Sequence, residues 1–289
     1  MQFLKAILVT AGFTVFILVA VIFHVVISVI IPSRRWYLMA YLTRILIKIL
    51  TVILGIKVTL LGELQNLKAQ GSFIIARHIG YLDGLILGSL FPANLISKKD
   101  IQKWPGIGIV VTISGTVFVD RLRKNKVSES LEQMAGLLKN KTNVVVFPEG
   151  TSTDGSVIRP FQTVFFQAPI SAGSDILPVT ISYLAIDGNK IEDSNRNNIC
   201  WYGQVSFFKH LWALFCFRSI EVTVKIHKKI ETKEYTNTSQ DRKKLAQICY
   251  DVVCEASGVK AAALSLNGND NGNGSAKEED ALPLKNENR

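Results

Sequence analysis

Covalent and metal staples are scarce in this chain of 289 residues. Its four cysteines, Cys200, Cys216, Cys249 and Cys254, include no C-x-x-C pair, so neither a disulfide framework nor a zinc site is expected. No G-x-S-x-G occurs, which removes the nucleophile elbow of a serine esterase. No internal repeat is found. Acidic residues are missing from positions 1–56, where Lys5, Arg34, Arg35, Arg44 and Lys48 leave a net +5. Charge of either sign is missing from Ala6 to Ser33, a run of 28 residues in which only His24 can titrate. With 48% hydrophobic and 19% charged residues, the chain is too apolar to be mostly disordered.

The uncharged run is long enough to act as a membrane segment. As a helix it extends about 42 Å, against a hydrocarbon core of about 30 Å. It is too long for the apolar region of a cleaved signal peptide, and it ends in Pro32-Ser33-Arg34-Arg35-Trp36 rather than a small-x-small site. An uncleaved anchor is expected, with the arginine flank on the cytoplasmic side. Residues 37–56 place Tyr41, Leu42, Ile45, Leu46, Ile49, Val52 and Ile53 on one stripe and Arg44, Lys48 and Thr51 opposite. This predicts an interfacial amphipathic helix. The whole chain carries +10, densest beside the apolar end, which suits an anionic lipid surface better than nucleic acid.

From Lys57 on, short β-rich runs alternate with helical patterns. Strands are expected at Val58–Leu61, Phe73–Ala76, Asn94–Ser97, Thr116–Val119, Asn143–Phe147, Ile176–Ser182 and Ile220–Ile226. A helix is expected between Lys124 and Asn140, with Leu131, Met134, Leu137 and Leu138 inward. A second follows Thr238, with Leu245, Ile248, Val252 and Val253 inward. Such alternation argues an α/β sheet. The expected organisation is a membrane anchor and interfacial helix over 1–56, an α/β domain over 57–258 and a disordered tail over 259–289, rich in Asn and Gly.

Four clusters carry candidate chemistry. His78 and Asp83 stand between an apolar run and a helical one. An imidazole is a natural general base at neutral pH, and a carboxylate on its second nitrogen fixes the tautomer. In Gly115…Asp120-Arg121, a strand delivers a forked cation suited to phosphate or carboxylate. In Phe147-Pro148-Glu149-Gly150-Thr151, a strand runs into a turn whose amides can hold an anion. The fourth, Ile176-Leu177-Pro178-Val179, is a buried strand.

Taken in this order, the four blocks resemble the glycerolipid acyltransferase family, the lysophospholipid acyltransferases typified by 1-acylglycerol-3-phosphate acyltransferase. The resemblance runs from about Val58 to Ile230 and includes Ser97-Lys98-Lys99-Asp100, Trp104-Pro105 and Trp201-Tyr202-Gly203. It implies a mixed sheet flanked by helices and preceded by N-terminal membrane helices. It implies that His78 takes a proton from an acceptor hydroxyl, that Asp83 orients it, and that no covalent acyl-enzyme forms. Arg121, Glu149, Gly150 and Thr151 match acceptor-binding positions; Arg159 is the next cation after them. The implied partners are membrane lipids, a lysophospholipid acceptor and an acyl-coenzyme A or acyl carrier protein thioester as co-substrate, with no other cofactor, no metal and no nucleic acid. The implied place is the cell membrane, with the catalytic domain facing the cytoplasm.

The chain departs from the family pattern at Arg77, where Asn often stands, at Gly80, where Ser often stands, and at Ser152, where Arg commonly follows the third block. The expected acceptor is 1-acyl-sn-glycerol-3-phosphate, giving phosphatidic acid. Another lysolipid, such as lyso-ornithine lipid, and a catalytically silent lipid-binding protein on the same fold are the alternatives.

Overall fold

The computed structural model describes residues 1–120 and 124–261. The chain opens with a helical pair. Helix α1 (Gln2–Ile30) turns through Pro32–Arg34 into α2 (Arg35–Leu54), which ends at Gly55 in the left-handed conformation. The body follows as β1 (Ile56–Gly62), β2 (Phe73–Ile75), α3 (Tyr81–Leu90), β3 (Ala93–Lys98), α4 (Ile107–Ile113) and β4 (Val117–Val119). Next come α5 (Lys124–Lys139), β5 (Asn143–Val146), β6 (Val157–Ile158), α6 (Gln167–Ala172), β7 (Ile176–Ile186) and β8 (Asn189–Lys190). The chain closes with α7 (Phe207–Leu214), β9 (Ile220–Ile226), α8 (Ser239–Ser257) and β10 (Lys260–Ala261). Strands β6 and β10 pair apart from the main sheet, so the first residues of the expected tail belong to the folded body.

The main sheet is mixed. Its order is β1-β9-β7-β2-β5-β3-β4, with β8 paired to β7. Only β7–β9 and β7–β8 are antiparallel. The central strands β2 and β5 are buried throughout, as strands covered on both faces must be. Their side chains alternate between two cores. Ile74 and Val145 join the core shared with α1, α2, α3 and α7. Phe73, Ile75, Val144 and Val146 join the core under α5 and α8. The expected inward residues of α5, Leu131, Met134, Leu137 and Leu138, are all buried.

The helical pair is not a free-standing stalk. The first core runs without a break from Val9, Phe16 and Ala20 of α1, through Leu46 and Leu50 of α2, to Leu82 and Ile86 of α3. Lys5 of α1 donates from Nζ to the Leu54 carbonyl at 3.3 Å and to the Phe217 carbonyl, pinning the chain start to the end of α2. Both helices are long and apolar enough to cross a membrane. The stripe expected to be the single apolar face of α2 divides in the structure. Met39, Ala40, Thr43, Leu46, Ile47, Leu50 and Leu54 are buried against the body. Tyr41, Ile45, Ile49 and Val52 are exposed instead. The supposed polar face also breaks up: Thr51 is buried, Arg44 donates to the Ser89 carbonyl, and only Lys48 stands exposed. The physical reason is that α2 is apolar on two sides. A helical stripe cannot say which side meets protein.

Candidate active site

Strands β2 and β5 are parallel neighbours in register, Ile75 opposite Val146. Both therefore end at the same edge of the sheet, where ligands bind in open α/β folds. The first block leaves β2 and the third leaves β5, so sequence positions about seventy apart converge. The His78 ring lies stacked on the Phe147 ring, with centroids 4.2 Å apart and planes 13° apart. Phe147 shapes that contact as the residue that closes β5.

Asp83 is almost fully buried, and donors converge on it. Its Oδ2 accepts from the Ile79 amide at 2.7 Å and the Gly80 amide at 3.0 Å. Its Oδ1 accepts from the Tyr183 hydroxyl at 2.8 Å. His78 Nδ1 lies 3.0 Å from Oδ2. A carboxylate already accepting from three donors serves the imidazole as an acceptor too, which puts the ring proton on Nδ1 and leaves Nε2 free to take one. Asp83 also sits in the first turn of α3, reaching back to the amides that open the helix, as an acidic N3 residue does. Helix capping and histidine orientation are thus served by one side chain. Burial, with Asp83 beside it, holds the Tyr183 hydroxyl well above its ordinary pKa, so it stays a donor.

Glu149 is buried just beneath. Its Oε1 accepts from the His78 backbone amide at 2.6 Å and its Oε2 from the Arg159 amide at 2.9 Å. Burial pushes its pKa above the ordinary range, against the pull of those two amides and of Arg77. Glu149 therefore ties the His78 turn to the strand β6 region. Gly150 has φ of +76°, a left-handed conformation that favours glycine, and the end of the Gln162 side chain lies where a Cβ would stand. Thr151 is half-buried in the same turn. Arg159 enters through its backbone; its side chain is exposed. Arg121 lies outside the described residues.

Two departures from the family pattern acquire reasons. A Cβ on Gly80 would lie 2.9 Å from the Trp201 amide nitrogen, and that amide donates to the Ile79 carbonyl at 2.8 Å. The turn carrying His78 is latched to the segment at Trp201, with no room for a side chain. Arg77 is buried and donates to the Gly155 carbonyl at 2.8 Å, bracing the loop after the third block.

On its other side His78 opens onto an apolar cavity of about 270 Å³. Its walls come from Val9 and Phe13 of α1, Leu46 and Leu50 of α2, Leu95 of β3, Val110 of α4, and Phe207 and Leu211 of α7. Sequence reasoning missed this cavity, together with Tyr183, α4 and α7. The nearby Cys200 thiol is no rival nucleophile, since burial and Asp83 push its pKa up to about 12. Among the described residues no cluster of metal-ligating side chains occurs.

An imidazole held by a buried carboxylate and lining an apolar cavity walled by long apolar helices is the arrangement expected of one class, an enzyme acting on lipid acyl chains. The comparisons with known proteins carry this further. The family model described as Acyltransferase matches residues 57–182. A lyso-ornithine lipid O-acyltransferase of Rhodobacter capsulatus is 30% identical over 227 residues, 76% of this chain and 77% of that protein. One from Rhizobium meliloti is 26% identical over 221 residues, 74% and 73% of the two chains. A 1-acyl-sn-glycerol-3-phosphate acyltransferase of Neisseria meningitidis is 26% identical over 155 residues, 54% of this chain and 58% of that one. The crystal structure of the 1-acyl-sn-glycerophosphate acyltransferase of Thermotoga maritima shares the fold, with a TM-score of 0.58 at 20% identity over 89% of this chain and 96% of that one. The chain belongs to the glycerolipid acyltransferase family.

Proposed function

We propose that this O-acyltransferase moves a fatty acyl chain from an acyl thioester, carried by coenzyme A or acyl carrier protein, to the free hydroxyl of a lysolipid. The observation that carries the reading is the His78–Asp83 pair at the mouth of the apolar cavity. His78 Nε2 takes the hydroxyl proton as the oxygen attacks the thioester carbonyl. The new C–O bond forms, the C–S bond breaks, and the proton passes from His78 to the departing sulfur. No acyl-enzyme is needed. The cavity holds the hydrocarbon of one substrate; Gly150, Thr151, Arg121 and Arg159 serve the acceptor headgroup, and Glu149 holds the turn in place through the two backbone amides that donate to it.

The helical pair is read as seated in one leaflet, with the catalytic side on the cytoplasmic face. Along α1, exposed apolar residues run from Phe3 to Ile30, while the opposite side packs on protein. Lys48 lies among the exposed Ile45, Ile49 and Val52 of α2, so that face sits no deeper than a lysine stem can snorkel to the headgroups.

The four sequence blocks favour 1-acyl-sn-glycerol-3-phosphate as acceptor. A second reading, lyso-ornithine lipid, is favoured by relatives of that activity that match three-quarters of the chain. One assay tests both. The protein in vesicles is given labelled acyl thioester and either acceptor. Acceptor-dependent acylated lipid, abolished by His78→Ala, is expected. Thioester loss without lipid product, or no turnover with any lysolipid, would overturn the reading. The ratio of kcat/KM between acceptors chooses the headgroup.

A further inference from the structure

Helix α7 has two dissimilar faces. Inward, His210 and Leu214 are buried and Phe207 and Leu211 wall the cavity. Outward, Phe208 and Trp212 are 57% and 42% exposed, Val205 is exposed just before the helix, and Cys216 just after it. Positions 208 and 212 are four apart on the helix and so share one side, and Cys216 stands in the turn that follows. Exposed Lys209 lies beside them. Large apolar side chains clustered on one short segment are not the scattered hydrophobics of an ordinary surface.

This face is also not isolated. The Trp212 ring meets Phe3 of α1 edge-on, with centroids 5.3 Å apart. Gln2 Nε2 donates to the Trp212 carbonyl at 3.0 Å. Phe3, Leu4 and Ile7 of α1 are themselves widely exposed. The outer face of α7 thus continues the exposed apolar face of α1 around a corner. An amphipathic Trp and a Lys at its margin match the chemistry of a bilayer interface.

We infer that the outer face of α7 is a further lipid-contact surface, entering the same leaflet as α1 and occupied by the bilayer interface. The inference rests on the reading that α1 lies on that leaflet. It deepens it: with lipid on one side of α7 and the cavity on the other, lipid and cavity stand about one helix diameter, roughly 10 Å, apart. The lysolipid then has a lateral route along the seam between α1 and α7.

The test uses the full chain with Cys254→Ser and an environment-sensitive fluorophore on Cys216; Cys200 and Cys249 are buried. The chain is bound to vesicles of phosphatidylcholine and phosphatidylglycerol, and co-sedimentation records binding independently. The label is expected to shift to shorter wavelength, to be quenched by nitroxide lipids and to be shielded from aqueous iodide. Phe208→Asp with Trp212→Asp is expected to remove that shift while the chain still co-sediments. Should that variant fail to fold, quenching in the parent chain decides alone. A bound chain whose label stays open to iodide overturns the proposal. So does a shift produced without lipid, either by raising the protein concentration, which marks a second copy, or by an acidic carrier protein. A chain that does not co-sediment overturns the reading of α1 and this one together. Failure of acyl transfer leaves the signal untouched, because no turnover is read.

Discussion

The two sides of His78 are built on opposite principles. On one side every polar group is answered. Both Asp83 oxygens are occupied, both Glu149 oxygens accept backbone amides, and Tyr183 spends its hydroxyl on the same carboxylate. On the other side hydrocarbon walls enclose open volume, and the buried Thr43 hydroxyl that α2 adds to them finds no partner. The saturated side holds the base in one orientation, because each donor it satisfies is costly to strand. The apolar side fixes nothing about the chemistry and selects by shape. Rate should therefore respond to changes on the first side, and substrate choice to changes on the second.

The largest effect is expected from His78→Ala, which should lower kcat by about 10²–10⁴-fold as general-base losses do. Since the ring is partly exposed, the thermal melt should stay near the parent's. Residual activity above a tenth would refute the assignment. Tyr183→Phe ranks below both His78→Ala and Asp83→Asn. It removes one hydrogen bond to a charged group, worth about 1.5–3 kcal/mol, and should lower the melting temperature and kcat together. Asp83→Asn should cost more activity than Tyr183→Phe, because tautomer control goes with it. An equal or smaller loss would show that Asp83 is only a helix cap. On the apolar side, Val110→Phe narrows the cavity and should move the preference toward shorter acyl thioesters while kcat for the best chain changes little. A uniform loss across chain lengths would erase the division of labour drawn above.

The smallest effect concerns pH and Glu149. Its pKa is raised in the folded protein, chiefly by burial, so its ionised form costs stability. The stability associated with its protonated form is complete below the ordinary glutamate value of 4.5 and is lost as pH rises through the raised one. The melting temperature of the parent minus that of Glu149→Gln should grow as pH falls from neutral toward this range. A difference that shrinks would contradict the burial argument.

Much of the saturated side was legible in the sequence because it is local. His78 and Asp83 fall within one strand-to-helix turn, and the third block ends a strand of unmistakable β character. Strand β9 matched its expected bounds, Ile220–Ile226, and α8 follows Thr238 as placed, the Thr238 hydroxyl accepting from the Asp241 amide. The apolar side was not legible. Its walls come from α1, α2, α3, β3, α4 and α7, and nothing in one short run announces a cavity assembled from so many. Helices α4 and α7 are seven and eight residues long, too short for a helical period to show. Tyr183 lies one residue past the expected end of its strand at Ser182, and a lone tyrosine there carries no mark of its hydroxyl's partner. For α2, a helical stripe was detected, but the helix is apolar on two sides and its pattern does not say which side meets protein, since lipid and protein reward the same side chains.

The pairing of β1 has a consequence for synthesis. Among the described residues, Ile56–Gly62 finds its sheet partner only in Ile220–Ile226, at the far end of the folded body. A nascent chain thus presents its apolar helical pair long before the first strand of the body can be docked. The anchor can meet a membrane while the rest is still being made, and the turn bearing His78 must wait for Trp201 to latch it. Early delivery also keeps that anchor from exposure in water, where incomplete sheets and bare apolar surface aggregate. Protease challenge of stalled nascent chains gives the check: cleavage around residues 56–62 should persist until Ile226 has left the ribosome, and protection before that point would show another partner for β1.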